Sequence, residues 1–421
     1  MRKKWGVAAL IIFGLYTLAL YLYIFHGGGG GIPNELKGTA ADPAVFMNPK
    51  EMLLSGELSK IRNFLFFVLI PLEWLVFFFI LIFGISRLFE NWATFKNKWS
   101  IVKNAAYLFS LLITTKILFF PIDYYSYKLS RSYGISTQSF SSWMHDNVLD
   151  FWLNIGITII VVTILYWLIQ KSTKRWWLYA WLLTIPFSIF MMYIQPVIID
   201  PLYNDFSPLK DKELEAKILA LAEQASIPAE HVFEVGMADR TNALNAYVTG
   251  IGSNSRIVLW DTTINKLSDE EILFVMAHEM SHYVNKDIYI GIASYILMML
   301  AGLWLTNKIA TWIIKRYGKL LKIEKLSDIR SYPLLLLVSS FLLFASSPLS
   351  NYQSRYLEIR ADEYAIALTG NEEAAITAFQ KLTIAGLSDV NPPLLVKWFR
   401  YTHPPMLDRI NSVREENDSE E

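Results

Sequence analysis

Seven stretches of this 421-residue chain are each apolar over roughly 20 residues, the length a helix needs to cross a bilayer. They lie near residues 5–25, 63–85, 104–122, 151–169, 176–199, 288–306 and 332–350. The third carries Lys116 and Pro121, and the seventh contains several serines. Hydrophobic residues make up 53% of the chain against 18% charged, and the mean hydropathy of +0.32 suits a polytopic membrane protein. The first run follows three basic residues, exceeds a signal-peptide core and precedes no A-x-A-like site, so it reads as an uncleaved span.

The spans divide the chain into residues 1–199 (spans one to five), 200–287 (a polar α+β region), 288–350 (spans six and seven) and 351–421 (a helical polar region with an acidic tail). Between spans one and two, five consecutive glycines from Gly27 to Gly31 resist regular structure, which predicts a mobile start to that loop. In the first polar region, residues 210–227 have helical periodicity, and "HVFEVGMA", "NAYVTGIG" and "RIVLWDT" read as three short strands. Residues 267–287, "LSDEEILFVMAHEMSHYVNKD", read as a helix. Ser268 and Glu271 form its capping box, with Asp269 and Glu270 in the first turn.

Balanced charge, 38 basic against 38 acidic residues, points to no polyanionic partner, so nucleic acid is not expected. The absence of cysteine leaves His, Asp and Glu as metal ligands. Within the capped helix, His278 and His282 are four residues apart and share a face, so both imidazoles can aim at one ion. Glu279 is offset by about 100°, too far to be an equal third ligand but able to reach a water on the metal. This H-E-x-x-H spelling is a two-ligand site with a general base; alone it also suits two histidines on a polar helix face. A third ligand must come from elsewhere. In "NYQSRYLEIRADEYAIALTG", residues 351–370, Glu358 and Asp362 share a helix face. Glu358 could complete the set, Asp362 could accept a ring N–H from a ligating histidine, and Arg355 or Arg360 could hold either carboxylate. The pattern alone suits an ordinary charged helix equally well.

Taken in order, "NAY" followed by "RIVLWDT", "HEMSH" between spans five and six, "SRYLEIRAD" after span seven, and "THPPMLDRI" resemble the M48 metallopeptidases, in their integral-membrane type I CAAX prenyl protease branch. The resemblance implies a mostly α-helical integral membrane protein. Its seven transmembrane helices enclose a water-accessible chamber, beside a small α+β zinc-metalloprotease region of gluzincin type. It also implies one zinc per chain on His278, His282 and Glu358, with Glu279 as catalytic base and His403 as a donor to the oxyanion. By the same likeness Asn245, Ala246 and Tyr247 form an edge strand that pairs with an extended peptide, and Arg409 lines the same region. The implied partners are a peptide or protein substrate, lipidated or membrane-associated, and membrane lipids. Other readings are a seven-span transporter or receptor with a structural HEMSH helix, and a quality-control protease of the same fold. His26, His145 and His231 match nothing and read as structural.

Ionisable residues inside spans usually face a bundle interior. For Glu73 and Lys116, pairing with each other is the simpler expectation. Basic residues concentrate at the N-terminus and after spans two, four and six, which the positive-inside rule places in the cytoplasm. The catalytic regions of this multi-pass cell-membrane protein would then face outward. Eukaryotic prenyl proteases, which work on cytosolic C-termini, would need the opposite.

Overall fold

The computed structural model describes residues 2–27, 30–96, 100–249 and 256–420. Part of the glycine run, Lys98, the end of the stretch expected as a strand over 245–252, and the last residue of the acidic tail lie outside them. Among the described residues, seven helices are long and apolar enough to cross a membrane. The first is α1 (Arg2–His26). A short α2 (Pro43–Phe46) precedes α3 (Pro49–Ile82), whose start is fixed by a reciprocal cap. There Asn48 Oδ1 accepts from the Glu51 amide at 2.9 Å, and Glu51 Oε2 accepts from the Asn48 amide at 2.9 Å. After α4 (Ile85–Lys96) come α5 (Ser100–Ser132), α6 (Phe140–Lys171) and α7 (Trp176–Ile194). The remaining spans are α11 (Asp287–Leu321) and α12 (Tyr332–Thr369).

Most of these helices are longer than the apolar windows that announce them; α7 stops short of its own. Hydropathy reads the bilayer slab, whereas the backbone stays helical wherever its hydrogen bonds continue. The largest case is α12, which runs unbroken for 38 residues until Gly370, at φ 60°, closes it. The division drawn at residue 350 therefore falls inside one helix.

The two ends of the bundle are built differently. At one end, Arg2 Nε donates to the Leu320 carbonyl at 3.1 Å, Ser86 Oγ to the Arg330 carbonyl at 2.8 Å, and Arg330 Nε lies 3.0 Å from Glu90 Oε2. This end gathers the N-terminus and the loops after spans two, four and six, where the basic residues concentrate. The opposite end carries the sheet and the remaining helices. There Gln380 Nε2 donates to the Ala40 carbonyl at 2.8 Å, and Thr137 Oγ1 to the Ala238 carbonyl at 2.7 Å.

No residue in the most apolar stretch of α7 or α11 is buried. Each of these helices therefore leaves much of its surface uncovered by protein. Glu73, Lys116, Asp150 and Asn154 line a cavity of about 420 Å³ among α3, α5 and α6. The expected pairing of Glu73 with Lys116 is not found. Lys116 Nζ lies 2.9 Å from Asp123 Oδ2 and donates to Asn147 Oδ1 at 2.8 Å, because Asp123 is two turns along the same helix and closer to hand.

The polar end holds a four-stranded sheet, β1 (Phe206–Pro208), β2 (Val232–Val235), β3 (Ala246–Thr249) and β4 (Arg256–Trp260), in the order β1-β2-β4-β3. The β2/β4 pair is parallel, with Val232 opposite Ile257, and the other two pairs are antiparallel. Three residues ending in proline give β1 no period to read, and it sits on an edge, where a missing N–H is tolerated. Around the sheet lie α8 (Lys212–Gln224), α9 (Asp261–Lys266), α10 (Asp269–Val284), α13 (Glu372–Gly386), α14 (Leu394–Phe399) and α15 (Met406–Glu420). Except for α14, whose Val396 packs with Leu20, Ile24 and Phe67 of α1 and α3, their apolar faces meet in one core around Ile218, Leu259, Met276, Phe379 and Ile410, all sealed from solvent. A second core, around Tyr107, Ile169 and Trp176, ties the spans together at the basic end.

Candidate metal centre

The centre is assembled on α10 and α12. Ser268 and Glu271 form the expected capping box, and Lys381 Nζ reaches Glu271 Oε2 at 2.6 Å, so α10 is fixed both at its start and to α13. Its inner face, Phe274, Met276, Ala277 and Met280, is buried, which leaves His278 and His282 directed at α12. One ligand atom each from His278, His282 and Glu358 lies within 4.8 Å of the others.

His278 Nε2 is 3.1 Å from Glu358 Oε2, and His282 Nε2 is 3.5 Å from Glu358 Oε1. Two ligands about 2.05 Å from a tetrahedral ion stand roughly 3.3 Å apart, so these separations fit the group. Each histidine turns its other nitrogen to a carboxylate. His278 Nδ1 lies 2.8 Å from Asp362 Oδ1, and His282 Nδ1 lies 2.9 Å from Asp287 Oδ2. Both Nε2 atoms are thereby left facing the common point. Asp362 is itself gripped by Arg409, whose Nε donates to Oδ2 at 2.7 Å and Nη2 to Oδ1 at 2.5 Å. The Arg409 guanidinium also stacks 4.1 Å from the Phe379 ring centroid.

Burial opposes a charge on His278, but Asp362 and Glu358 outweigh it and lift its pKa to about 9. Without an ion the ring therefore holds a proton, and a metal must displace it. Burial raises the pKa of Glu279, partly offset by the two histidines, and so moves its proton affinity toward neutrality. Glu279 lines a cavity of about 310 Å³ with Val248, Tyr283, Ile288, Leu357 and Glu358.

Of the remaining sequence-predicted residues, one reaches this group directly. His403 Nε2 is 3.3 Å from Glu358 Oε2, and its Nδ1 is 3.0 Å from Thr402 Oγ1. Ala246 and Tyr247 belong to β3, which has β4 on one side only among the described residues. Asn245 precedes the strand; its Oδ1 accepts from the Ala246 amide at 3.0 Å and its carbonyl from Thr263 Oγ1 at 2.8 Å. Two expectations need correction. Arg355 holds neither carboxylate: its Nη1 donates to the carbonyls of Lys397 at 2.8 Å and Tyr401 at 2.7 Å, fastening α12 to the segment before His403. Arg360 holds neither as well, its Nη2 being paired with Asp287 Oδ1. Arg409 is buried and holds Asp362 with Nε and Nη2, through which it bears on His278. Asp287 had no role in the sequence reading, although it closes the very stretch that contains both histidines.

Comparison with known proteins finds relatives over the whole chain. The profile of Peptidase family M48 matches residues 208–417, and that of the CAAX prenyl protease N-terminal region, five membrane helices, matches residues 57–205. An uncharacterized metalloprotease of Bacillus subtilis, YhfN, is 49% identical over 419 residues, 100% of this chain and 98% of its own length. A CAAX prenyl protease 1 homolog of Arabidopsis thaliana is 30% identical over 74% of each chain. The crystal structure of S. mikatae Ste24p superposes with a TM-score of 0.80 over 97% of each chain at 22% identity, a likeness of fold.

Proposed function

Since the chain belongs to peptidase family M48, in its CAAX prenyl protease branch, and is a membrane metalloprotease, we propose that it is a zinc endopeptidase cutting membrane-associated or lipidated peptides. The observation that carries this is the convergence of His278, His282 and Glu358 beside the carboxylate of Glu279. These three residues would hold one zinc ion per chain. When bound, zinc supplies Lewis acidity and lowers the pKa of its water to about 7.

The chain's own residues do the rest. β3, the strand of Ala246 and Tyr247, has a free edge on which an extended peptide could pair, and β-augmentation of this kind accepts many sequences; the amide and carbonyl of Asn245, just before it, are held by Thr263 and Trp260. Glu279 takes the proton of the attacking water and hands it to the leaving amine. His403 donates from its ring to the oxyanion as charge develops there. Asp362, held by Arg409, keeps the His278 ring turned.

The CAAX-type substrate is suggested by the names of the relatives alone; a quality-control protease would use the same centre. The separation of basic loops from the catalytic end supports an outward-facing site. A reporter fused to the C-terminus tests it, and a signal confined to the cytoplasm would reverse the assignment. For the activity, purified protein should carry zinc and cleave a generic peptide in a chelator-sensitive way. Cleavage that continues unchanged in metal-free protein would remove the proposal.

A further inference from the structure

The two histidines of α10 are steered from different parts of the molecule. His278 is steered by Asp362, from α12. His282 is steered by Asp287, the first residue of the sixth span. In a continuous helix a residue five positions on lies about 140° around the axis and could not return to His282. Lys286 breaks the helix with φ 58° and brings Asp287 back. Only 5% of the Asp287 side chain is exposed, and both of its oxygens are taken. Oδ1 is paired with Arg360 Nη2 and Oδ2 lies 2.9 Å from His282 Nδ1. A carboxylate only accepts, so it selects the tautomer with the proton on Nδ1 and leaves the Nε2 lone pair toward Glu358.

We propose that Asp287, locked by Arg360, is the positioning residue for His282 and ties the metal geometry to the start of the sixth span. The inference rests on the zinc reading above. It follows that Asp287 acts through His282 without touching a substrate, and that Arg360, expected to hold Glu358 or Asp362, holds Asp287 instead. The test is titration of metal-free, full-length protein with Co²⁺, following the visible absorption of the bound ion. Asp287→Ala should weaken Co²⁺ binding about 10- to 100-fold and change the absorption band. Asp287→Asn keeps an oxygen for the Nδ1 proton and should restore binding to within about tenfold of wild type. Wild-type affinity and spectrum in Asp287→Ala would overturn the inference, as would an Asn variant no better than Ala. Failure of the wild-type protein to take up one Co²⁺ would overturn the zinc reading itself.

Discussion

The metal centre and the interior of the bundle both hold ionisable groups out of bulk water, but by opposite means. Around the candidate metal site, Asp287, Glu358, Asp362 and Arg409 are all buried, and each is matched by a named partner within hydrogen-bond or ion-pair reach. Along the bundle wall, Lys116 and Asp123 remain about a third exposed, at 32% and 41%, and Glu73 shares their cavity without joining them. The first arrangement fixes atoms; the second only keeps charge wet. Buried charge that loses its partner is strongly destabilising, whereas exposed pairs contribute little. The two regions should therefore respond very differently to substitution.

The sharpest contrast comes from the base. Glu279→Gln should lower peptide hydrolysis by about 10²- to 10⁴-fold while zinc content, measured on the purified protein, stays at wild-type level. Hydrolysis at the wild-type rate would take the proton-carrying role away from Glu279. Next, Glu358→Ala removes the only ligand from α12, and zinc occupancy after dialysis should fall well below one per chain. Unchanged metal content would strike Glu358 from the ligand set. Third, Arg409→Ala strands Asp362 in the interior and should cost about 3–5 kcal/mol of stability, read from denaturation in detergent. A loss of less than about 1 kcal/mol would mean the pair is as lightly coupled as a surface one.

The pH dependence separates the regions again. His278 has a pKa of about 9 in the metal-free fold, above its ordinary value near 6.5. Its protonated ring therefore stabilises the metal-free protein fully below pH 6.5, and that contribution is lost as pH rises through 9. Metal uptake runs the other way, because the proton must leave. Apparent zinc affinity should climb up to tenfold per pH unit until about pH 9 and then level off. A flat profile between pH 7 and 9 would contradict a bound proton. The smallest effect is expected at the wall: Lys116→Met should change stability by no more than about 1 kcal/mol and leave zinc affinity untouched.

What the sequence made legible follows from how local each signal is. The spans are runs of consecutive residues, and the His278–His282 pair and the Ser268–Glu271 box need only helical spacing. Glu358 and Asp362 share a face by the same rule. The contacts that were missed or misassigned need the folded chain. Arg409 meets Asp362 across 47 residues, only after α15 packs on α12. Arg355 stands one turn from Glu358, which favours pairing on paper, yet two backbone carbonyls from the C-terminal region claim its guanidinium. Asp287 is five residues from His282, a spacing with no helical meaning until the backbone at Lys286 reverses.

The continuity of α12 has a practical outcome for anyone dissecting the protein. A truncation meant to yield a water-soluble peptidase, made where the apolar run ends near Ser350, would sever this rod and leave Glu358 only about two turns from a loose end. The acid proposed to complete the ligand set sits on a helix continuous with a membrane span, so cutting the candidate site away from that span would also cut the support of one of its members.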